Sequence, residues 1–543
     1  MASIPGRAAP APQHKTAALG GRCAVSASNP TISMIGAQVL ASGGNAVDAS
    51  LAMAAAGWMV LPGQCGIGGD VFVMVREPDG RVWTVGGSGF GPDGGTADFY
   101  RSRGLNAIPL TGALSVAVPG GLAALRTLHS TGGSRPLNEL WQTAIAIGED
   151  GFACTAKTRS DIAEYAAELS RDPDARGVFL PGGCLPRVGQ RIYQRELSTF
   201  LRTVAADKDG FYSGEFAARA VSTLVEAGAP FSGEEWAAAE SAPVTEAISH
   251  PYGGARLHQT PLPTPGWMVL QQAAICDGVL GTREQLGAEA IHWLSEAARR
   301  TFRDRFATCG SDTDAWKATL EPEAVRSARD GIGRLQASHM APARVDGDTT
   351  STVCVDEEGR AVSFIHSLAF TFGARMTVPG TGVLLNNRLG RGAYLLDGHP
   401  NEVRPRRKPL HTLNAWVVDH PERGLLHVGN CPGGDGQVQW NMQVISHLVD
   451  HDSDPQTAVS LPRFTIFPGS DADVIDKPEE LRCEAGLPAE TLDQLAAWGH
   501  NVKPVPLQIG GPGGSAMVIS ADHTQGVLLA GADPRMEGTA LAI

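Results

Sequence analysis

Apolar residues recur at helical spacing over 31–41, a run opened by Asn29-Pro30 and stopped at Gly43-Gly44, the punctuation of a capped helix. Residues 45–60 predict a second helix with small residues on every face, open to close approach by its neighbours. The period then changes to two. Residues 71–75 and 81–85, joined by Pro78-Asp79-Gly80, predict a β-hairpin. From Pro136 to about 335 helical periodicity dominates, with helices expected over 137–149, 158–169, 197–204 and 288–306. After Asp348 strands return. Residues 351–356 and 361–368 flank Glu357-Glu358-Gly359, and 416–418, 425–428, 516–519 and 527–529 are further strands. Helices are expected over 437–449 and 488–498. Strands toward both ends and helices between them imply an α+β protein of stacked layers with an α-rich lobe.

Composition narrows the function classes. The 543 residues carry a net charge of -13 with no block of like charges, which argues against nucleic acid and anionic membrane as partners. The most apolar stretch, 49–62, is too short to span a bilayer and reads as a buried helix. Residues 1–25 lack the apolar core of a signal peptide and are expected to form a flexible tail. Nine scattered cysteines, never spaced C-x-x-C, indicate neither a disulfide scaffold nor a zinc site. A cytoplasmic location is expected, with no cofactor and no metal.

The glycine clusters do not make a nucleotide site. Gly63 to Asp70 lies between a helix and a strand, the reverse of the order in a dinucleotide fingerprint. Gly89 to Gly94 has the G-x-G-x-x-G spacing, but its Pro-Asp-Gly-Gly end reads as a turn. No G-x-S-x-G elbow or H-E-x-x-H pair occurs, and His366, His399 and His411 each read individually as structural residues.

The informative segment is Gly347-Asp348-Thr349-Thr350-Ser351-Thr352, opening the strand that precedes Glu357. Read blandly it is a Thr-rich edge hairpin. Read chemically, a Thr heading a strand becomes a nucleophile once the peptide bond before it is cut. Its freed α-amine is then close enough to its own hydroxyl to act as general base.

That segment resembles the start of the small subunit in the γ-glutamyltransferase (γ-glutamyltranspeptidase) family of N-terminal nucleophile hydrolases. Gly43 to Ala49, Cys65 to Asp70, Ser115 to Gly121, Pro379 to Asn387, Pro432-Gly433-Gly434 and Gly531 to Arg535 match further family segments in the right order. The resemblance implies a four-layer α-β-β-α core made as one precursor. It implies self-cleavage between Asp348 and Thr349 into a large subunit, 26–348, and a small subunit, 349–543. The α-rich lobe, about 136–335, belongs to the large subunit. The two pieces would stay together as a heterodimer, with a dimer of these as a further expectation.

By family position Thr349 is the nucleophile, Thr350 partners the new α-amine, and Ser367 stands where a family Thr bonds the nucleophile. Gly433 and Gly434 are expected to form the oxyanion hole. Substrate recognition departs from the family. The stretch around Ser88 lacks the family's arginine, Ala369 replaces an asparagine, and Arg388 and Arg391 stand near its acidic residues. His411-Thr412 replaces a paired serine. Arg375, Arg388 and Arg391 offer charge to an anion, so Ser88, Arg388, Arg391, His411 and Thr412 are the expected substrate-binding residues. Parts of the pattern look more like the oxamate amidohydrolase branch and relatives in 4-alkylproline antibiotic-precursor pathways. The leading expectation is hydrolysis of an amide or related acyl bond of a small acidic substrate. The alternatives are a C–C bond hydrolase of secondary metabolism releasing an oxalyl-type unit, and a true γ-glutamyltransferase or glutathione hydrolase.

Overall fold

The computed structural model describes residues 15–206, 208, 210–333, 335–338, 349–467, 479–507 and 514–543. Two seven-stranded antiparallel sheets face each other. The first runs Thr539–Ala542, Ala24–Ala27, Thr350–Val355, Ala361–Ser367, Asp70–Arg76, Val82–Gly87, Val244–Glu246. The second runs Ala18–Gly20, Val527–Ala532, Met517–Asp522, Gly424–Asn430, Ala415–His420, Ala255–Gln259, Ile248–Tyr252. Strand alternation sends one face of each inward, where Phe72, Val353 and Ile365 meet Val417, Val428 and Ile519 in a closed apolar layer.

The outer faces carry helices, giving the expected α-β-β-α order. Pro30–Ala41 and Ala46–Val60 cover the first sheet. The second of these is buried on every face. Its start is fixed by a capping box, with Asn45 and Asp48 each bonding the other's backbone N–H. Asp356, at the turn of the Thr350–Ser367 hairpin, also accepts from the N–H of Ala46 at 3.0 Å. Helix and hairpin are thereby set in register. Gly266–Cys276, Ala288–Thr308 and Gly436–Val449 cover the second sheet around Trp267, Trp416 and Trp440. No helix among the described residues is long and apolar enough to cross a membrane.

Three expectations are corrected. The tail does not extend to residue 25, because Ala18–Gly20 and Ala24–Ala27 are sheet strands. The helical stretch over 136–335 is not one lobe. Val244–Glu246, Ile248–Tyr252 and Ala255–Gln259 interrupt it, and the helices beyond them form the layer on the second sheet. The helix expected over 137–149 breaks at Trp141, whose indole N–H is drawn to the carbonyl of Leu51 at 3.1 Å.

Candidate active site

Thr349 heads the central hairpin of the first sheet. The register pairs Thr350 with His366, so Thr349 lies across from Ser367. Its hydroxyl is 3.3 Å from that of Ser367, and both residues are buried. The N–H of Ala369 donates to the Ser367 oxygen at 2.9 Å and fixes that side chain. Thr350 turns elsewhere, donating to Gln64 Oε1 at 2.9 Å. Asp348, the other half of the expected cleavage site, lies outside the described residues.

Gly433 and Gly434 follow the strand Gly424–Asn430, which reaches this end of the sandwich. Ser363 Oγ donates to the carbonyl of Gly429 at 2.8 Å, and Asn430 Nδ2 donates to that of Phe364 at 3.2 Å. Asn430, the last residue of that strand, also donates to the carbonyl of Thr352 at 3.4 Å and so lies against the Thr350–Ser367 hairpin. Both glycines have positive φ, and a Cβ on Gly433 would run into the Trp440 ring. Among the described residues neither glycine N–H donates to a protein acceptor. Gln437 holds the turn, its carboxamide nitrogen spanning the carbonyls of Thr412 at 3.1 Å and Cys431 at 3.3 Å.

The expected substrate-binding residues divide. Arg388 Nε closes on Asp70 Oδ2 at 2.7 Å, with both side chains buried. His411 Nε2 faces the same oxygen at 3.2 Å, and its Nδ1 accepts from the N–H of Leu413 at 3.3 Å, so the ring proton sits toward Asp70. Burial, then the charge of Arg388, pushes His411 down to about 3, so it is neutral. Burial would raise the Asp70 carboxyl, but Arg388 and His411 hold it below its ordinary range. Arg391 donates to the carbonyl of Ala369 at 2.7 Å and stacks over Phe370. Arg375 lies over Tyr165. The buried Thr412 stands next to His411. The Ser88 hydroxyl donates to Gly89 O at 3.3 Å, and its loop approaches the helix Arg388–Gly392 where Gly91 meets Leu389.

Sequence reasoning missed Asp70 as a charge partner, Gln64 as the Thr350 acceptor, and Gln437. It noted Asp70 only as the end of a glycine turn. The thiols nearby are poor competitors as nucleophiles, since burial pushes Cys65, Cys354 and Cys431 up to about 12.

One group among the described residues has the spacing of a metal site: His292, Glu296 and His500. Its atoms are already engaged. Arg299 donates to His500 Nδ1 at 3.3 Å, which leaves the His500 Nε2 proton to point at His292 Nδ1, 2.8 Å away. His292 Nε2–H then donates to Ile332 O at 3.1 Å, and Glu296 takes Arg299 and Ser338. With Arg299 adding positive charge, the donor set suits a structural network better than a cation.

Residues 32–543 match the family described as Gamma-glutamyltranspeptidase. The Glutathione hydrolase-like YwrD proenzyme of Bacillus subtilis is 31% identical over 529 residues, 94% of this chain and 96% of that protein. The Oxamate amidohydrolase proenzyme of Klebsiella pneumoniae is 31% identical over 516 residues, 92% and 95% of the two chains. In three dimensions, cephalosporin acylase from Bacillus halodurans superposes with a TM-score of 0.90 at 26% identity, covering 100% of this chain and 99% of that one. With the layered sandwich, the paired hydroxyls and the unengaged glycine amides, these likenesses place the chain in the gamma-glutamyltranspeptidase family as an N-terminal nucleophile hydrolase.

Proposed function

We propose that the protein cuts its own chain between Asp348 and Thr349, and that Thr349 then hydrolyses an amide or related acyl bond of a small acidic substrate. The observation that carries this reading is the buried Thr349 hydroxyl, 3.3 Å from Ser367 Oγ; among the described residues the Gly433 and Gly434 amides have no protein acceptor. In self-cleavage Thr349 Oγ1 attacks the carbonyl carbon of Asp348, the acyl group passes from nitrogen to oxygen, and water opens the resulting ester. In turnover the same oxygen attacks the donor carbonyl. Its proton passes through the freed α-amine to the leaving group, and water releases the acid. Gly433 and Gly434 would hold the tetrahedral oxyanion in both reactions.

The preference for an acid without an α-amine is supported by charge. Arg388 is buried against Asp70, Arg391 is buried against the carbonyl of Ala369, and the segment Ser88 to Gly91 carries no charged side chain. An ammonium brought there would meet cations and no unmatched carboxylate. Denaturing electrophoresis tests the first half. Two fragments are expected, the smaller beginning Thr-Thr-Ser-Thr, while Thr349→Ala stays whole and inert. An uncut chain with full activity would overturn the mechanism. Assays with γ-glutamyl-p-nitroanilide, oxamate and 2-oxo acid amides test the second half. Efficient γ-glutamyl turnover would return the protein to the ordinary transferases.

A further inference from the structure

The chain turns back sharply after the strand Ala361–Ser367. Ala369, Phe372 and Arg375 take left-handed backbone, with φ of 85°, 59° and 56°, although each carries a Cβ. Such a run persists only where its surroundings over-determine it. Here every backbone polar group from Leu368 to Phe370 has a partner. The N–H of Leu368 donates to Gln64 O at 3.2 Å, and its carbonyl accepts from the N–H of Asn387 at 3.1 Å. The N–H of Phe370 donates to Asn387 Oδ1 at 2.9 Å, and its carbonyl accepts from the N–H of Gly373 at 2.8 Å. At the centre is Ala369. Its carbonyl accepts from Arg391 at 2.7 Å, and its N–H donates to Ser367 Oγ at 2.9 Å.

Asn387 and Arg391 belong to one short element. Asn387 precedes the helix Arg388–Gly392, and its carbonyl accepts from the N–H of Arg391 at 3.2 Å. Both side chains are buried. Asn387 is itself anchored, its Nδ2 donating to Leu110 O at 2.7 Å. The Arg391 guanidinium lies over the Phe370 ring, 4.4 Å from its centre. The turn is thus gripped by the start of this helix. The N–H that the grip leaves over goes to Ser367 Oγ, the oxygen that also accepts from the Thr349 hydroxyl.

We propose that Asn387 and Arg391 are positioning residues for Thr349: they hold Ala369 left-handed, and its N–H in turn holds Ser367 Oγ where it receives the Thr349 hydroxyl. The proposal rests on the reading of Thr349 as the nucleophile. It gives Arg391 a task that needs no donor molecule, in place of the substrate contact expected of it from sequence.

Self-cleavage requires no donor, so its rate separates positioning from substrate binding. Fragment appearance after cell-free synthesis of the full chain is followed on denaturing gels. Asn387→Ala and Arg391→Met are each expected to slow it by about tenfold or more, the effect of a small misplacement beside a reacting group. Arg391→Lys, which keeps a donor for the Ala369 carbonyl, should recover most of the loss. In the Ser367→Ala background Asn387→Ala should cost less than about twofold further, because the grip acts through that hydroxyl alone. Should Asn387→Ala not fold, Asn387→Ser, too short to span Phe370 and Leu110 together, takes its place. A wild-type rate in either single variant, or effects that multiply fully in the Ser367→Ala background, overturns the proposal. Failure of the Thr349 reading looks different: wild type stays whole, or Thr349→Ala is cut, and the proposal falls with it.

Discussion

Arg388 and Asp70, 318 residues apart in sequence, meet at 2.7 Å with neither side chain reaching solvent. The pair occupies the position where sequence reasoning expects an arginine to hold substrate. A guanidinium closed onto a buried carboxylate is a poor clamp, because releasing it for a ligand would strand Asp70 as an unpaired charge. Its consequence is felt first in stability. Arg388→Ala should destabilise the protein by about 3–5 kcal/mol, the usual effect of leaving half of a buried pair. Urea unfolding of wild type and variant reads this. Normal stability combined with a raised KM would restore Arg388 to substrate binding.

Ser367 Oγ accepts from the Thr349 hydroxyl and from the N–H of Ala369. Ser367→Ala should leave the fold intact but slow self-cleavage and turnover together, because the Thr349 oxygen loses the partner that orients it. Ser367→Thr keeps the hydroxyl and should be close to wild type. Time courses of fragment appearance compare the three, and wild-type cleavage by Ser367→Ala would remove this residue from the reaction.

Gly434 has φ of 58°, a conformation that costs a residue with a Cβ on the order of 1–2 kcal/mol. Gly434→Val should therefore turn the amide away from the oxyanion. Loss of one such donor lowers kcat by about 10²–10³ in comparable acyl-transfer sites. A folded Gly434→Val protein with unchanged kcat would show that the oxyanion is held elsewhere.

Acid should weaken the protein through its buried histidines. Burial, then the charges of Arg299 and His292, pushes His500 down to about 3, and burial, then His451, does the same for His447. Unfolded histidine takes a proton near pH 6.5. The unfolded state therefore binds more protons below that value. Stability is complete above it and falls as pH drops toward the folded value. At pH 5 one such residue accounts for about 2 kcal/mol. Urea midpoints at pH 7.5, 6 and 5 should decrease in order. His500→Gln, which can still accept from Arg299, should flatten the decline, and midpoints that hold steady to pH 5 would contradict this account.

The hairpins and capped helices were legible because their signals are local. Asn29-Pro30, the Asn45–Asp48 box and the two-residue alternation around Glu357 each decide their own few residues. Ile248–Tyr252 and Val502–Val505 were not, because each contains a proline, which argues against a strand in sequence. Each is an edge strand, where a missing N–H is tolerated. The nearness of Thr349 and Ser367 was legible through the order of their motifs. The partners of the site's charges were not. Nothing in the spacing of Asp70, Arg388 and His411 says that one carboxylate serves both other residues, since that contact exists only after the strand Asp70–Arg76, the helix Arg388–Gly392 and the His411 segment have packed.

In both sheets the strands before and after residue 348 are interleaved. Ala24–Ala27 lies between Thr539–Ala542 and Thr350–Val355, and Ala255–Gln259 pairs with Ala415–His420. A cut ahead of Thr349 thus leaves two polypeptides woven through common backbone ladders, with no surface along which they could separate intact. It also changes the kinetic order of recovery. The uncut chain finds its partner strands by closing loops within one molecule, whereas the cut one, once unfolded, must collide with its other half. After such a cut refolding would depend on concentration, and the folded pair would be kept by its unfolding barrier.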